Sequence, residues 1–537
     1  MRIVHLILTL LCCITLSAKA AEVRPLAEAA ETFSKKLPKG VIVTGESNAG
    51  EVRYSITGKL NLPDVAPEQI IFEIGSLTKV FTGLLLAQTV VEGKATLDMT
   101  LQEALGDAVT FEDPQVGRIT LRQLATHTSS LPRLPDNMEL GADPQDPYAH
   151  YDRARLFSYL AKARLKGQPP FAKSYSNLGM GLLGEVLSHR YGQSWIQLIE
   201  EKITRPLGMH DTTVVLNEEQ RKRLAPPLDG EQTVKPWNLA SMAGAGALRS
   251  TAADLMLFGE TLLHSEKTPL KEAIALLLQP QEPAEIGLAI GLGKFYGQRT
   301  HEHNGGTGGY RTVFQILPDS QTVRVVLTNN AALPAEAVLA AVQKERAPAP
   351  IAEKALPEEE LSRYEGVYPI DTTTRFTVLR RGDQLMVQLT GQGFLQLHAR
   401  DVADRFFFKE VQAEIQFHRE KDEVVGLTLF QNGREVAAKK GKDPLPKVIF
   451  RTPQELKEYA GKYELTPAAI FTIQVVHGTL YAQLTGQPFL PVIERRRDWF
   501  EYDTVAAALE FQRDEKGKVV ALQLHQHGLV QRAVRKP

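Results

Sequence analysis

At 537 residues the chain is too long for one compact core, and with 62 basic against 63 acidic side chains it has no excess positive charge to concentrate on a nucleic acid or an anionic membrane. Its 43% hydrophobic and 23% charged content is that of folded soluble protein, so two or three domains are expected and nucleic acid is excluded as a partner.

The first twenty residues read as an export leader. Arg2 gives a short basic start, Ile3 to Leu16 is an apolar run, and Ala18-Lys19-Ala20 has the small-x-small pattern of a cleavage site, so the mature chain is expected to begin at Ala21. The run is too short to span a bilayer, which needs about 20 residues, and no later stretch is long enough, so a periplasmic or secreted protein without a transmembrane segment is expected. Both cysteines, Cys12 and Cys13, fall inside this leader, leaving the mature chain with no disulfide and no cysteine metal site. A lipoprotein signal is the rival reading, but Leu10 and Leu11 are bulky where that signal has small residues.

Alternation from Val41 to Thr57 predicts a strand pair. Apolar spacing of three and four then predicts helices over Ser76 to Glu92, Leu156 to Lys166, Asn177 to Tyr191 and Trp195 to Ile203, and Thr251 with Asp254 three residues on predicts a capping box opening a further helix. Strands return at Arg311 to Leu317 and Thr322 to Thr328, joined by a turn at Pro318-Asp319-Ser320. Strands at both ends with helices between imply one antiparallel sheet closed by the two ends of the domain, with a helical subdomain beside it: an α/β (α+β) fold over 21–343.

Residues 344–360, rich in Pro, Ala and charge, read as a linker. Beyond it Tyr364-x-Gly366-x-Tyr368 recurs as Tyr459-x-Gly461-x-Tyr463, Gln388-Leu-Thr-Gly-Gln392 recurs as Gln483-Leu-Thr-Gly-Gln487, and Gly433 answers Gly528, each pair 95 residues apart. That self-similarity means a duplicated unit, and its short alternating strands predict two small antiparallel β-barrels or sandwiches over 361–440 and 441–537, neither with a nucleophile and base of its own.

Three short motifs carry the chemistry. Ser76-Leu77-Thr78-Lys79, the one Ser-x-x-Lys in the chain, puts a hydroxyl and an ammonium on one helix face, where a desolvated lysine can take the proton that makes serine a poor nucleophile. Read alone, it equally describes an N-cap serine with an exposed lysine one turn later. Tyr175-Ser176-Asn177 offers a phenol to relay a proton and an amide to orient a lysine or a substrate carbonyl; its plainer reading makes Asn177 an N-cap. His303-Asn304-Gly305-Gly306-Thr307, leading into the strand from Arg311, offers glycines against which a substrate can lie edge-on and a Gly306 N–H to hold an oxyanion with that of Ser76. A phosphate-binding loop would need a helix after the glycines, and a strand follows instead. His301 and His303 share one face of a strand, but no further ligand stands at metal-binding spacing.

In the order Ser-x-x-Lys, Tyr-x-Asn, His-x-Gly, these motifs resemble the serine β-lactamase and penicillin-binding protein superfamily in its class C branch, over about residues 30 to 335. The stretches LRQLATHTSSLPRLP from Leu121, RPLGMHDT from Arg205 and AGAGALRSTAADL from Ala243 add to the likeness. The resemblance implies Ser76 as acylated nucleophile, Lys79 and Tyr175 as the acid-base pair, and Asn177, His303, Gly305, Gly306 and Thr307 as substrate and oxyanion contacts. It implies no metal or organic cofactor. His303 departs from the pattern, since lysine is usual there and a largely neutral histidine meets a substrate carboxylate less well. His-x-Gly occurs in relatives that act on D-amino-acid amides or esters, and the duplicated β units resemble the architecture of a bacterial D-aminopeptidase. The expected function is an exported serine hydrolase cleaving D-amino-acid peptides, peptidoglycan stems or β-lactams. An esterase and a penicillin-binding sensor that acylates without turnover are the alternatives.

Overall fold

The computed structural model describes residues 25–342 and 353–536, with short breaks at 36–38, 49, 61, 63, 139–140, 166, 168, 283, 285, 296, 468, 477, 486, 488 and 527. The expected leader and the residues 344–352 of the expected linker lie outside it.

The N-terminal part, up to residue 342, is built on an antiparallel sheet. Gly40–Asn48 pairs with Glu51–Lys59 on one side and with Thr322–Thr328 on the other, and the sheet continues through Arg311–Leu317, Gln298–Gly306 and Gly291–Phe295. The first and last strands of the domain are thus neighbours, and the helices between them form the second layer. Central among these is Thr78–Val91, whose sequence is apolar on nearly all sides because it is packed on nearly all sides. Its Phe81 stacks on Phe258 of helix Ala252–Leu263 at 4.3 Å, and Phe258 meets Phe314 of the sheet at 5.7 Å. Helix Asn177–Tyr191 runs between the Ser176 side chain, which accepts from Gly179 N, and the left-handed Gly192.

Three predicted elements differ in detail. Helix Arg153–Lys162 starts three residues early, on an Asp152 cap, and helix Trp195–Ile199 widens into a π-helical turn over Glu200–Thr204. Thr251 caps its helix by accepting from Asp254 N at 3.2 Å, but the reciprocal half of a capping box is missing: the Asp254 carboxylate accepts instead from Asp211 N and the Thr212 hydroxyl at 2.9 and 2.7 Å.

The duplicated region is all β, yet its halves end differently. The second forms a closed eight-stranded barrel over Gly461–Arg535, whereas the strands of the first, Gly366–Lys439, extend the catalytic sheet through the pairing of Arg434 with Phe295 into one sheet of fourteen strands. Both halves keep one polar network that explains the recurring Tyr-x-Gly-x-Tyr. In the first, Tyr364 Oη donates to Asp404 at 2.7 Å, Arg419 donates to the same oxygen at 2.7 Å, and Tyr368 Oη donates to the Tyr364 carbonyl at 2.7 Å. In the second, Tyr459, Asp498, Arg513 and Tyr463 repeat each contact. Glu360 joins the first network through Arg419 at 2.5 Å from the helix Glu358–Arg363, so the end of the expected linker is structured. Among the described residues no helix is long and apolar enough to cross a membrane.

Removing a charged partner should cost more here than removing a neutral one. Asp498→Ala is expected to destabilise the barrel by about 1–3 kcal/mol and Tyr463→Phe by about 1 kcal/mol, read as shifts in the urea midpoint of the full chain. Equal midpoints for both variants and the parent would show that the network is not stabilising.

Candidate active site

Ser76 lies in a tight 3₁₀ turn, Gly75–Leu77, between the short strand Ile71–Glu73 and the start of helix Thr78–Val91. It caps nothing. Lys79, one turn on, has no exposed surface; its Nζ donates to Ser76 Oγ at 2.9 Å and to the Ala245 carbonyl at 2.6 Å. Burial lowers its pKa; Tyr175 opposes that and Arg133 adds to it.

Tyr175 stands just ahead of helix Asn177–Tyr191, its ring centroid 4.9 Å from Lys79 Nζ and 5.1 Å from the Arg133 guanidinium carbon. Burial would push the phenol up, but the charge of Lys79, hydrogen bonds with Lys79 and Ser76, and the charge of Arg133 together bring it below its ordinary value. A lysine eased toward neutrality and a tyrosine eased toward phenolate, in contact with each other and with one serine hydroxyl, titrate as a linked set. Asn177 is released from capping because Ser176 does that work, and its Oδ1 is buried without a hydrogen-bond partner.

The strand Gln298–Gly306 brings the third motif against the turn that carries Ser76. Gly75 has φ +50°, and a Cβ there would come 2.6 Å from Gly306 N; a Cβ on Gly305 would come 1.9 Å from the Ile74 carbonyl. The glycines are therefore needed first for the approach of strand to turn, not for the approach of a substrate. Thr307 is buried beside Ser76 in a narrow cleft walled by Tyr148, Asn177 and Trp237. His303 is half-buried; its Nδ1 donates to the Asn304 carbonyl at 2.6 Å, which leaves Nε2 as acceptor, and burial followed by the nearby Lys79 charge pulls its pKa to about 4. His301 and His303 do share a strand face, but among the described residues no group of three or more His, Cys, Asp or Glu side chains could hold a metal ion.

Several contributors lacked a local sequence signal. Glu73, three residues before Ser76, forms a buried pair with Arg249 at 3.1 Å and accepts from Trp237 N at 2.9 Å, fixing the wall of the cleft; burial raises its pKa against the pull of Arg249, Thr307 and Trp237. Trp237 in turn packs on Tyr148, ring centroids 5.4 Å apart. A second cleft, about 340 Å³, is lined by His127, Lys173, Tyr175 and His303 together with Asp371 and Arg434 from the first β unit, whose Thr372 N donates to the Lys173 carbonyl at 3.2 Å. Taken together, these groups can activate a hydroxyl, stabilise an oxyanion and hand a proton to a leaving group.

The β-lactamase family model matches residues 65–347, and a domain of unknown function (DUF3471) matches twice, at 351–440 and 445–534. Among curated proteins the chain is similar to D-alanyl-D-alanine-carboxypeptidase/endopeptidase AmpH of Escherichia coli (strain K12), 30% identical over 282 residues, covering 49% of this chain and 72% of that one. It is similar also to penicillin-binding protein 4* of Bacillus subtilis (strain 168), 26% identical over 408 residues, 68% of this chain and 87% of that one. Among solved structures, a class C β-lactamase from Rhodobacter sphaeroides superposes with a TM-score of 0.51 at 21% identity, over 59% of this chain and 97% of that one, which shows a shared fold.

The contact of Gly75 with Gly306 is directly testable. Gly75→Ala combines a left-handed backbone with a blocked approach, so it is expected to cost about 1–3 kcal/mol of stability and to slow covalent labelling by a fluorescent penicillin. Parental stability and labelling in this variant would mean that turn and strand are not held in contact.

Proposed function

The chain belongs to the β-lactamase family and is a serine hydrolase, and from that premise we propose that it cleaves amide bonds of D-amino-acid peptides, such as peptidoglycan stems, or of β-lactams, through an acyl-enzyme on Ser76. The observation that carries this reading is a serine hydroxyl 2.9 Å from a fully buried lysine, with a phenol beside both. Ser76 Oγ attacks the substrate carbonyl as its proton passes to the Lys79–Tyr175 pair. The N–H groups of Ser76 and Gly306 hold the oxyanion, and the unsatisfied Asn177 Oδ1 accepts from a substrate amide. Collapse expels the amine, which takes the proton from the same pair, and water releases the acyl group by the reverse path. The likeness to AmpH and to penicillin-binding protein 4*, as those proteins are named, supports the substrate class. The basic start at Arg2, the apolar run and Ala18-Lys19-Ala20 support export with cleavage after Ala20.

An ester substrate is favoured by one observation: His303, where the family pattern has lysine, is uncharged and offers no permanent cation to a carboxylate. The test is a panel of D-Ala peptides, cephalosporins and short acyl esters with the chain and its His303→Lys variant. An ordinary histidine, with a pKa of about 6.5, would itself be partly charged at pH 6, and the gain from lysine would then be larger at pH 8. With a pKa of about 4 the native imidazole is neutral at both pH values, so His303→Lys is expected to raise kcat/KM for substrates with a free carboxylate near the scissile bond by the same factor at pH 6 and pH 8, and to lower it for neutral esters. Turnover confined to esters would overturn the peptide reading. Acylation with no turnover of any substrate would replace it with a sensor.

A further inference from the structure

We propose that His127 is the positioning residue of the site, gripping the backbone on both sides of Tyr175 and backing its ring so that the phenol stays against Lys79. His127 ends the turn after helix Leu121–Ala125, in the left-handed region at φ +60°. Its carbonyl accepts from Ser174 N at 2.7 Å and its Nδ1 accepts from Ser176 N at 3.2 Å. These two donors are the immediate chain neighbours of Tyr175. Between them the imidazole lies across the phenol, ring centroids 4.5 Å apart and planes tilted by 36°. No sheet or helix bond holds Tyr175 itself; beside this clamp its neighbours are held by the Pro132 carbonyl, which accepts from Ser176 Oγ at 2.6 Å, and by the Arg133 carbonyl, which accepts from Asn177 N and Leu178 N at 3.1 Å.

The clamp requires one tautomer. Because Nδ1 accepts from a backbone N–H, the ring proton sits on Nε2 and the imidazole is neutral. The surroundings keep it so. Lys79 faces it from the central helix, the neutral His303 from the sheet, Lys173 from the segment before Tyr175, and Arg133 from the loop beyond; burial first, and then the cations Lys79, Lys173 and Arg133, hold its pKa well below the ordinary value. A protonated ring would lose the lone pair that accepts from Ser176. The left-handed backbone narrows the choice further, since asparagine tolerates that conformation and most other side chains do not.

This rests on the proton-transfer role given to Tyr175 above, and the test separates the two. Acylation by a chromogenic β-lactam is measured for His127→Leu, His127→Asn and Tyr175→Phe, and for His127→Leu in the Tyr175→Phe background. Loss of aim by an ångström is worth on the order of a hundredfold in rate, so His127→Leu is expected to lower kcat roughly thirty- to a hundredfold with KM changed less than about threefold. His127→Asn, whose side-chain oxygen can accept from Ser176 N, should stay within about fivefold of the parent. Once Tyr175 is phenylalanine, the leucine change should cost less than about threefold more, because nothing remains to be aimed. If His127→Leu does not fold, His127→Gly replaces it, since glycine adopts the left-handed backbone without strain and carries no side chain to accept from Ser176 N, so it should fail as leucine does. An equal loss in both backgrounds, or a fully active His127→Leu, overturns the clamp. A fully active Tyr175→Phe overturns instead the role of Tyr175, whatever His127 does.

Discussion

Lys79 has no solvent-exposed surface, and an ammonium so placed persists only where nearby acceptors replace the lost water. The Ala245 carbonyl, Ser76 Oγ and the Tyr175 phenol are those acceptors. Each belongs to a different part of the chain, so the cost of burying one charge obliges the short helix Ala243–Gly246, the turn at 76 and the segment at 175 to converge. The same burial eases the lysine toward the neutral form that can accept a proton. In the proposed mechanism stability and reactivity are thus set by one constraint: the group that is costly to bury is the group the proton transfer needs buried.

What the sequence made legible follows from range. Ser76 and Lys79 are three residues apart on one helix, and helix Asn177–Tyr191 is bounded by a capping serine and a left-handed glycine that are themselves local signals. The alternating strands at Arg311–Leu317 and Thr322–Thr328 were readable for the same reason. The walls of the cleft were not. Glu73 meets Arg249 across 176 positions, and Tyr148 meets Trp237 through packing that no spacing announces. The reason for the glycines also needed the fold, since only the approach of Gly305 to the Ile74 carbonyl shows what a Cβ there would strike. At Thr251 the local rule covered only half of the contact, because the Asp254 carboxylate was drawn away by Asp211 and Thr212.

The duplicated units show the limit of repeat reading. The tyrosines recur 95 residues apart and their aspartate and arginine partners 94 apart, so the network is kept in both units; yet the second closes strand to strand into a barrel, whereas the first, whose ends meet where Gly441 N donates to the Val367 carbonyl at 2.7 Å, also pairs its last strand with the N-terminal sheet. The first unit is also the one that reaches the site: Asp371 and Arg434 line the cleft next to Tyr175 and His303. A network shared by both copies accounts for stability, and the residues found in one copy alone account for its contact with the cleft.

The proposed mechanism requires one covalent bond, from the substrate acyl group to Ser76 Oγ. After brief incubation with a β-lactam and acid quench, intact-mass analysis followed by proteolysis and fragmentation should show one adduct, confined to the peptide that contains Ser76 and carried by that residue. An adduct mapped to any other serine, or to Lys79 or Tyr175, would contradict the assignment of the nucleophile and with it the mechanism built around the buried lysine.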